Sequence, residues 1–327
     1  MENTDNKYAP VVSVLGHVDH GKTTLLDALR KSTIASREHG GITQNIGTSE
    51  VETIHEGKTR KITFIDTPGH AAFENMRSQG VSAADIVLLI VAADDGIMPQ
   101  TRESIAKILE AKIPFIVVFT KIDMPGAQIE KVKQQILGEG ILLEGLGGEV
   151  PFIGVSAKTG EHIQDLLDLI LLAYDLSGIK KDENSDFMGV VIDAEADKRR
   201  GIVATAIVKQ GHIDVGKQIY VHGKVVGKAR ALVDSKGKNV KVAIPGMGIE
   251  ILGASEMLPA GSVIFDREVE PAIKENTLPT VEEKFDLASF LGGTNRDIIP
   301  IVLKTSTSAE MEAVKGSLPE KVKAILS

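Results

Sequence analysis

Apolar residues fall along this chain in two rhythms, and the change between them divides it. Up to about residue 180, near-continuous apolar runs alternate with stretches whose apolar positions recur every three or four residues. The runs are "PVVSVLG", "ITFIDT", "DIVLLIVAAD", "PFIVVFTKID" and "PFIGVSA". Their length suits strands, and their lack of polar alternation suits strands buried on both faces. The periodic stretches, "TTLLDALRKS", "QTRESIAKILEAK", "AQIEKVKQQILGEG" and "HIQDLLDLILLAYDL", predict amphipathic helices. Such alternation predicts an α/β domain, a mostly parallel sheet with flanking helices. One pair breaks the pattern. "SEVETI" and "KITFID" flank "HEGKTR" and predict an antiparallel hairpin at the sheet edge.

After the polar link "SGIKKDENSD" the helical period disappears. "FMGVVIDAEAD", "GIVATAIVKQG", "KQIYVHG", "KVVGKARALVD", "KNVKVAIPG" and "GIEILGA" are short strand patterns with glycine-rich turns, which predict a small β-barrel. A charged stretch follows, then a tail with one strand pattern and one or two short helical ones. The expected organisation is a disordered N-terminal tail over 1–9, an α/β domain over 10–180 and a barrel over 187–268. A connector over 269–298 and the truncated start of a third α/β domain over 299–327 complete it. Fewer than about 40 residues rarely make a stable domain alone, so this last piece is expected to pack on something.

Composition narrows the class. The chain has 327 residues, with 43% hydrophobic and 25% charged, an ordinary globular balance. It has no cysteine, which excludes disulfides and thiolate metal sites and fits a cytoplasmic protein. No apolar run approaches the ~20 residues of a membrane span, and "MENTDNKYAP" lacks a signal-peptide layout. The net charge of −8 argues weakly against a nucleic-acid partner. Yet residues 187–265 hold eleven Lys/Arg against seven Asp/Glu, net +4, leaving −12 for the rest. That asymmetry fits either a partner surface or a solvated basic face.

The chemistry concentrates after the first strand. "GHVDHGKT" matches G-x-x-x-x-G-K-[ST] between a strand and a helix, the context that motif requires. From Gly16 through His17, Val18, Asp19, His20 and Gly21, backbone N–H groups can close around phosphate oxygens. Lys22 supplies a point charge between β- and γ-phosphates, and the Thr23 hydroxyl a Mg²⁺ ligand. Thr24 follows at the start of the helix, whose N-terminus favours anions. "DTPGH", about 45 residues on, ends the third strand. Asp66 there can reach a Mg²⁺ shell through water. Thr67 and Pro68 carry the chain to Gly69, whose N–H can meet a γ-phosphate. His70 can orient an attacking water, or be a plain surface histidine.

Two further strand ends read a base. In "FTKID", Asp123 can accept from guanine N1–H and N2–H₂, a donor pair that adenine lacks. The stem of Lys121 can lie over the ring, with Thr120 and Ile122 beside it. In "SAK", Ser156, Ala157 and Lys158, the backbone can donate to guanine O6. "EHGGITQNIG" lies in the loop after the first helix, where Thr43 is the candidate for a second hydroxyl on Mg²⁺.

Together these segments resemble the translational GTPases, a P-loop GTPase domain followed by a β-barrel. "GHVDHGKTTLLDALRK", "GGITQNIG", "DTPGHAAFENMRSQG", "VAADDGIMPQT" and "SAKTGE" are similar to the bacterial translation initiation factor 2 family in particular. The similarity continues through "RGIVATAIVKQGHIDVGKQIYVHGKVVGKARALVD" and "AIPGMGIEILGASEMLPAGSVI" into the tail. It implies GTP and GDP as ligands with Mg²⁺, and a monovalent cation held with help from Asp19. It implies the ribosome as partner and activator, with the barrel on small-subunit RNA and the GTPase domain on the large subunit. A monomer is expected. Two departures stand out. The family's base-recognition motif usually opens with Asn, which offers an amide to guanine N7 and ties loops together. Here that position is Thr120, a hydroxyl with less reach. The family's last domain, which binds initiator tRNA, and the long N-terminal extension of many members are absent from this sequence.

Three functions stay open at this level: a GTP-hydrolysing initiation factor, a guanine-nucleotide-gated ribosome-binding module without significant hydrolysis, and an elongation-type carrier of aminoacyl-tRNA. The Gly40–Gly41 phrase and the tail argue against the last.

Overall fold

The computed structural model describes residues 8–31, 47–66, 80–269, 299–303, 314 and 322–326. Six strands form the first sheet: β1 (Val11–Gly16), β2 (Thr48–His55), β3 (Lys58–Asp66), β4 (Ile86–Ala92), β5 (Phe115–Thr120) and β6 (Phe152–Gly154). Their order is β2-β3-β1-β4-β5-β6, parallel throughout except for β2, which runs antiparallel to β3 at the edge. Among the described residues, the helices α1 (Lys22–Lys31), α2 (Pro99–Ala111), α3 (Ile129–Gly138) and α4 (Ile163–Leu176) accompany them.

The apolar periodicity explains the layering. Leu25, Leu26 and Leu29 of α1 and Leu166, Leu167, Ile170 and Tyr174 of α4 pack with Val12, Val14, Leu88 and Ile90 on one face. Ile105 and Ile108 of α2 and Val132 and Ile136 of α3 pack with Leu15, Leu89 and Val91 on the other. Each fully buried Leu or Ile contributes about 2 kcal/mol of transfer free energy. The central strands are buried on both sides, as uninterrupted apolar runs require.

The edge hairpin is tighter than "HEGKTR" suggests. Both strands run on until only Glu56 and Gly57 remain between His55 and Lys58, which are paired. Both turn residues have positive φ, 49° and 75°. That backbone matches the twist of a two-residue hairpin, and only the glycine signals it. Two helices also start later than their sequence patterns: Ala127 and Gln128 precede α3, and His162 precedes α4 in a left-handed conformation.

Residues 188–265 form an antiparallel barrel. β7 (Met188–Asp197), β8 (Gly201–Gln210), β10 (Gln218–Val221), β11 (Lys224–Asp234), β14 (Gly248–Ala254) and β15 (Val263–Phe265) close in the order β10-β15-β7-β8-β14-β11, with β11 pairing back to β10. The short β12 (Asn239–Val240) extends β11, while β13 (Val242–Ala243) pairs β9 (Ile213–Asp214). "KNVKVAIPG" therefore divides between two sheets. In the tail, β16 (Ile299–Leu303) and β17 (Val322–Leu326) pair in parallel.

The two domains share an apolar contact in which Val11, Ile65 and Ala83 meet Val190, Ile192 and Ile207. Polar contacts frame it. Thr63 Oγ1 donates to Gly246 O at 2.6 Å, and Lys236 reaches Glu52 at 3.0 Å. Asp85, buried just ahead of β4, accepts from Lys181 Nζ at 2.6 Å and from Lys209 Nζ at 2.7 Å.

Candidate nucleotide site

The parallel sheet brings the C-terminal ends of β1, β3, β5 and β6 to one edge, where open α/β sheets bind ligands. The phosphate-loop candidates lie between β1 and α1. Gly16 sits against β4 so closely that a Cβ would stand 2.4 Å from Ile90 O, so a side chain there is excluded. Gly21 has φ 83° and Asp19 φ 64°, which curl the loop. Lys22 crosses beneath it, donating from Nζ to Gly16 O at 2.8 Å and to His17 O at 2.5 Å. The first helical bond runs from Leu25 N to Gly21 O at 2.8 Å. The N–H groups of Lys22, Thr23 and Thr24 thus precede the helix's own ladder. α1 has no acidic residue in its first turn, and the side chains of Thr23, Thr24 and Asp19 are exposed. The environment favours an anion.

Two histidines stiffen the loop from below. The rings of His17 and His20 meet edge-on, 5.1 Å between centroids. Burial pushes the His20 pKa down to about 4, so the ring is neutral at pH 7. Gln100 of α2 accepts from Val18 N at 3.0 Å.

Asp66 ends β3, opposite Val14 of β1 in register. Burial raises its pKa, and the Arg30 guanidinium, 4.0 Å away, opposes that. Thr23 and Asp66 offer a hydroxyl and a carboxylate, the hard oxygen donors that suit Mg²⁺. Thr43, Thr67, Pro68, Gly69 and His70 lie outside the described residues.

The base-reading candidates meet at the far end. Asp123 Oδ1 accepts from Ser156 Oγ at 2.7 Å, and Ser156 Oγ accepts from Thr159 N at 3.1 Å. The loops after β5 and β6 are thereby joined, with one carboxylate oxygen fixed. Ile122 packs over Gly154, where a Cβ would approach it to 3.2 Å. Ala157 lies partly buried on the α1/α4 side of the core, and Lys158 is exposed. Lys121, at φ 59°, extends to Asp94 and Asp95 at 3.5 and 3.4 Å. Thr120 Oγ1 donates to His20 O at 2.6 Å, so the shorter side chain does reach the phosphate loop.

Sequence reasoning missed Gln100, Asp94 and Asp95 as neighbours of the site. It also missed Asp85, although a carboxylate leading the run "DIVLLIVAA" is a signal in itself, since a charge at a strand buried on both faces needs partners.

Strand order and loop placement make this a phosphate-loop nucleotide-binding domain carrying an antiparallel barrel. The chain belongs to the family described as elongation factor Tu GTP binding domain, whose model matches residues 7–175; a second, elongation factor G domain 2, matches 186–267. It is 42% identical over 325 residues to translation initiation factor IF-2 of Clostridium botulinum, covering 95% of this chain and 46% of that protein. To translation initiation factor IF-2 of Aquifex aeolicus it is 43% identical over 323 residues, covering 95% and 40%. It thus spans under half the length of these relatives. Among solved structures it resembles GDP-bound aIF5B from Aeropyrum pernix, at 30% identity and TM-score 0.63 over 79% of this chain and 54% of that one. It also resembles elongation factor SelB from Methanococcus maripaludis with a GTP analogue, at 26% identity and TM-score 0.62 over 80% and 55%. Among the described residues, no helix is long and apolar enough to cross a membrane.

Proposed function

We propose that this chain binds and hydrolyses GTP as the core of a translation initiation factor, acting on the ribosome to promote initiation-complex assembly and subunit joining. One observation carries the reading. A phosphate loop with its lysine pinned across it and a carboxylate fixed for guanine stand at the same sheet edge. The similarity to proteins named translation initiation factor IF-2 supports the biological role.

In this reading Lys22 neutralises charge between the β- and γ-phosphates, and the N–H groups of Gly16 to Thr24 cradle the phosphate oxygens. Asp123, held by Ser156, selects guanine, with Lys121 and Ile122 lining the ring and the Ser156–Lys158 backbone donating to O6. Thr23, Thr43 and, through water, Asp66 would hold Mg²⁺, which would supply further charge neutralisation. Asp19 would help hold a monovalent cation in the same role. His70 orients the water that attacks the γ-phosphorus in line, giving GDP and phosphate. GTP would order the loop around Thr43 and the segment from Asp66, and hydrolysis would release them. The ribosome is the activator and the barrel the small-subunit contact.

The test is phosphate release with and without ribosomes, for the parent chain and His70→Ala. Ribosome-stimulated turnover lost in the variant supports the reading. Normal stimulated turnover removes His70 from it, and no turnover under any condition favours a guanine-nucleotide-gated binding module.

A further inference from the structure

Thr120 is the last residue of β5 and is 3% exposed. Three contacts define its place. Its hydroxyl donates to His20 O at 2.6 Å, one hundred positions earlier in the chain. Its carbonyl accepts from Ala93 N at 2.9 Å. A Cβ on Gly21 would lie 3.9 Å from its Oγ1. Thr120 therefore stands between the base strand and the last turn of the phosphate loop.

A threonine hydroxyl carries one proton. Here that proton is committed to His20 O, and the oxygen's remaining lone pairs can only accept. Guanine N7 is itself an acceptor and needs a donor. We infer that Thr120 is a positioning residue that tethers the phosphate loop to β5, and that as a consequence it leaves guanine N7 unread, so that base choice rests on Asp123. This rests on the guanine-nucleotide reading above.

The two halves have separate signatures. A tether acts on the phosphate cradle, so its loss weakens every nucleotide by the same factor, whatever the base. Reading of the base by Asp123 is sensitive to the 2-amino group. An Asn at position 120 would carry two N–H donors, enough to hold His20 O and still reach N7.

The experiment measures displacement of labelled GDP by GDP, inosine diphosphate and 7-deaza-GDP. It uses the parent chain, Thr120→Val, Thr120→Ser and Thr120→Asn, with circular dichroism to confirm folding. In the parent, 7-deaza-GDP should match GDP within about twofold, a difference too small for a hydrogen bond. Thr120→Val should weaken GDP and inosine diphosphate alike by about tenfold, as expected when a buried carbonyl loses its donor. Thr120→Ser, which keeps the hydroxyl, should restore binding, and Thr120→Asn should make 7-deaza-GDP weaker than GDP. Unchanged affinity in folded Thr120→Val, or a parent that discriminates against 7-deaza-GDP by about tenfold, overturns the inference. If Thr120→Val does not fold, the parent and Thr120→Ser measurements decide. A parent chain that binds no guanine nucleotide overturns the proposed function, and this inference with it.

Discussion

Asp85 and Lys209 approach to 2.7 Å, carboxylate oxygen to ammonium, although one precedes a central strand of the GTPase-family domain and the other lies in the barrel. The Asp85 side chain is 2% exposed. Its second oxygen accepts from Lys181 at 2.6 Å and from Val11 N at 2.8 Å. Lys209 also donates to Ala83 O at 2.9 Å, and Lys181 to Ala9 O at 2.6 Å. One carboxylate thus gathers β1, the approach to β4, the interdomain link and the barrel. Burial works against its charge, but Lys209 and Lys181 outweigh that and hold the carboxyl below its usual range.

Removing this carboxylate leaves two lysines facing each other across a largely buried joint. Asp85→Ala is expected to destabilise the chain by about 3 kcal/mol or more, the usual result of breaking a buried pair from one side. Lys209→Met should cost less, because Lys181 still neutralises Asp85 and the new side chain is apolar. Urea unfolding reads the stability, and protease cleavage within 177–186 reads release of the barrel. An Asp85→Ala chain with the parent's midpoint and cleavage rate would show that the apolar contact alone joins the domains.

His20 predicts acid sensitivity. Its folded pKa is about 4 against an ordinary 6.5. The unfolded chain therefore binds the extra proton first, so the group's contribution is present above pH 6.5 and lost as pH falls toward 4. Between pH 7 and pH 5 the expected loss is about 2 kcal/mol. Unfolding at the two pH values should show a smaller difference in His20→Gln than in the parent. Equal pH dependence in both proteins would assign the loss between pH 7 and pH 5 to groups other than His20; Asp85, held below the usual carboxylate range, acts only at lower pH.

Much of the site is legible because phosphate chemistry demands local residue types. Gly16, Gly21, Lys22 and Thr23 fall within eight positions, and a strand and a helix flank them. The carboxylates at 66 and 123 are legible through strand ends that only a parallel sheet brings together. What stays hidden are contacts made at long range by ordinary residues. Asp85 and Lys209 are 124 positions apart, and Thr120 and His20 are 100 apart. Nothing in the local pattern says that a threonine hydroxyl will be turned toward a backbone carbonyl. The hairpin turn is a smaller case of the same kind. Gly57 advertises positive φ, but Glu56 adopts it only because the strands on either side pair to their ends.

Asp123 should govern which base is bound. With Oδ1 held by Ser156, the carboxylate is an acceptor-only group, which in the proposed reading would meet the N1–H and N2–H₂ donors of guanine. Asp123→Asn replaces one acceptor by a donor, which opposes the guanine 2-amino group and suits the 2-oxo group of xanthine. GDP affinity should fall by about a hundredfold or more, and xanthosine diphosphate should bind better than GDP. Competition binding with the two diphosphates checks both directions. A variant that still prefers GDP would mean that the base is read elsewhere.

The barrel offers a test of the proposed ribosomal contact that does not involve the nucleotide. Its basic residues are not equivalent. Arg200 is paired with Glu195 and Glu250, Lys236 with Glu52, and Lys209 with Asp85. Lys224, Lys228 and Arg230, by contrast, are exposed along β11, interspersed with buried Val226, Ala229 and Leu232, and a local irregularity breaks strict alternation. A stripe of this kind can follow a phosphate backbone, and each contact formed releases counterions. Binding of the chain to small subunits should therefore weaken with salt. The double variant Lys228→Glu/Arg230→Glu should bind less tightly at low salt and show a slope of log affinity against log salt shallower by about two. Guanine-nucleotide binding should be unchanged, because β11 lies outside the nucleotide edge. An unaltered slope would remove β11 from the proposed contact, and the local excess of positive charge would then be a solvated surface.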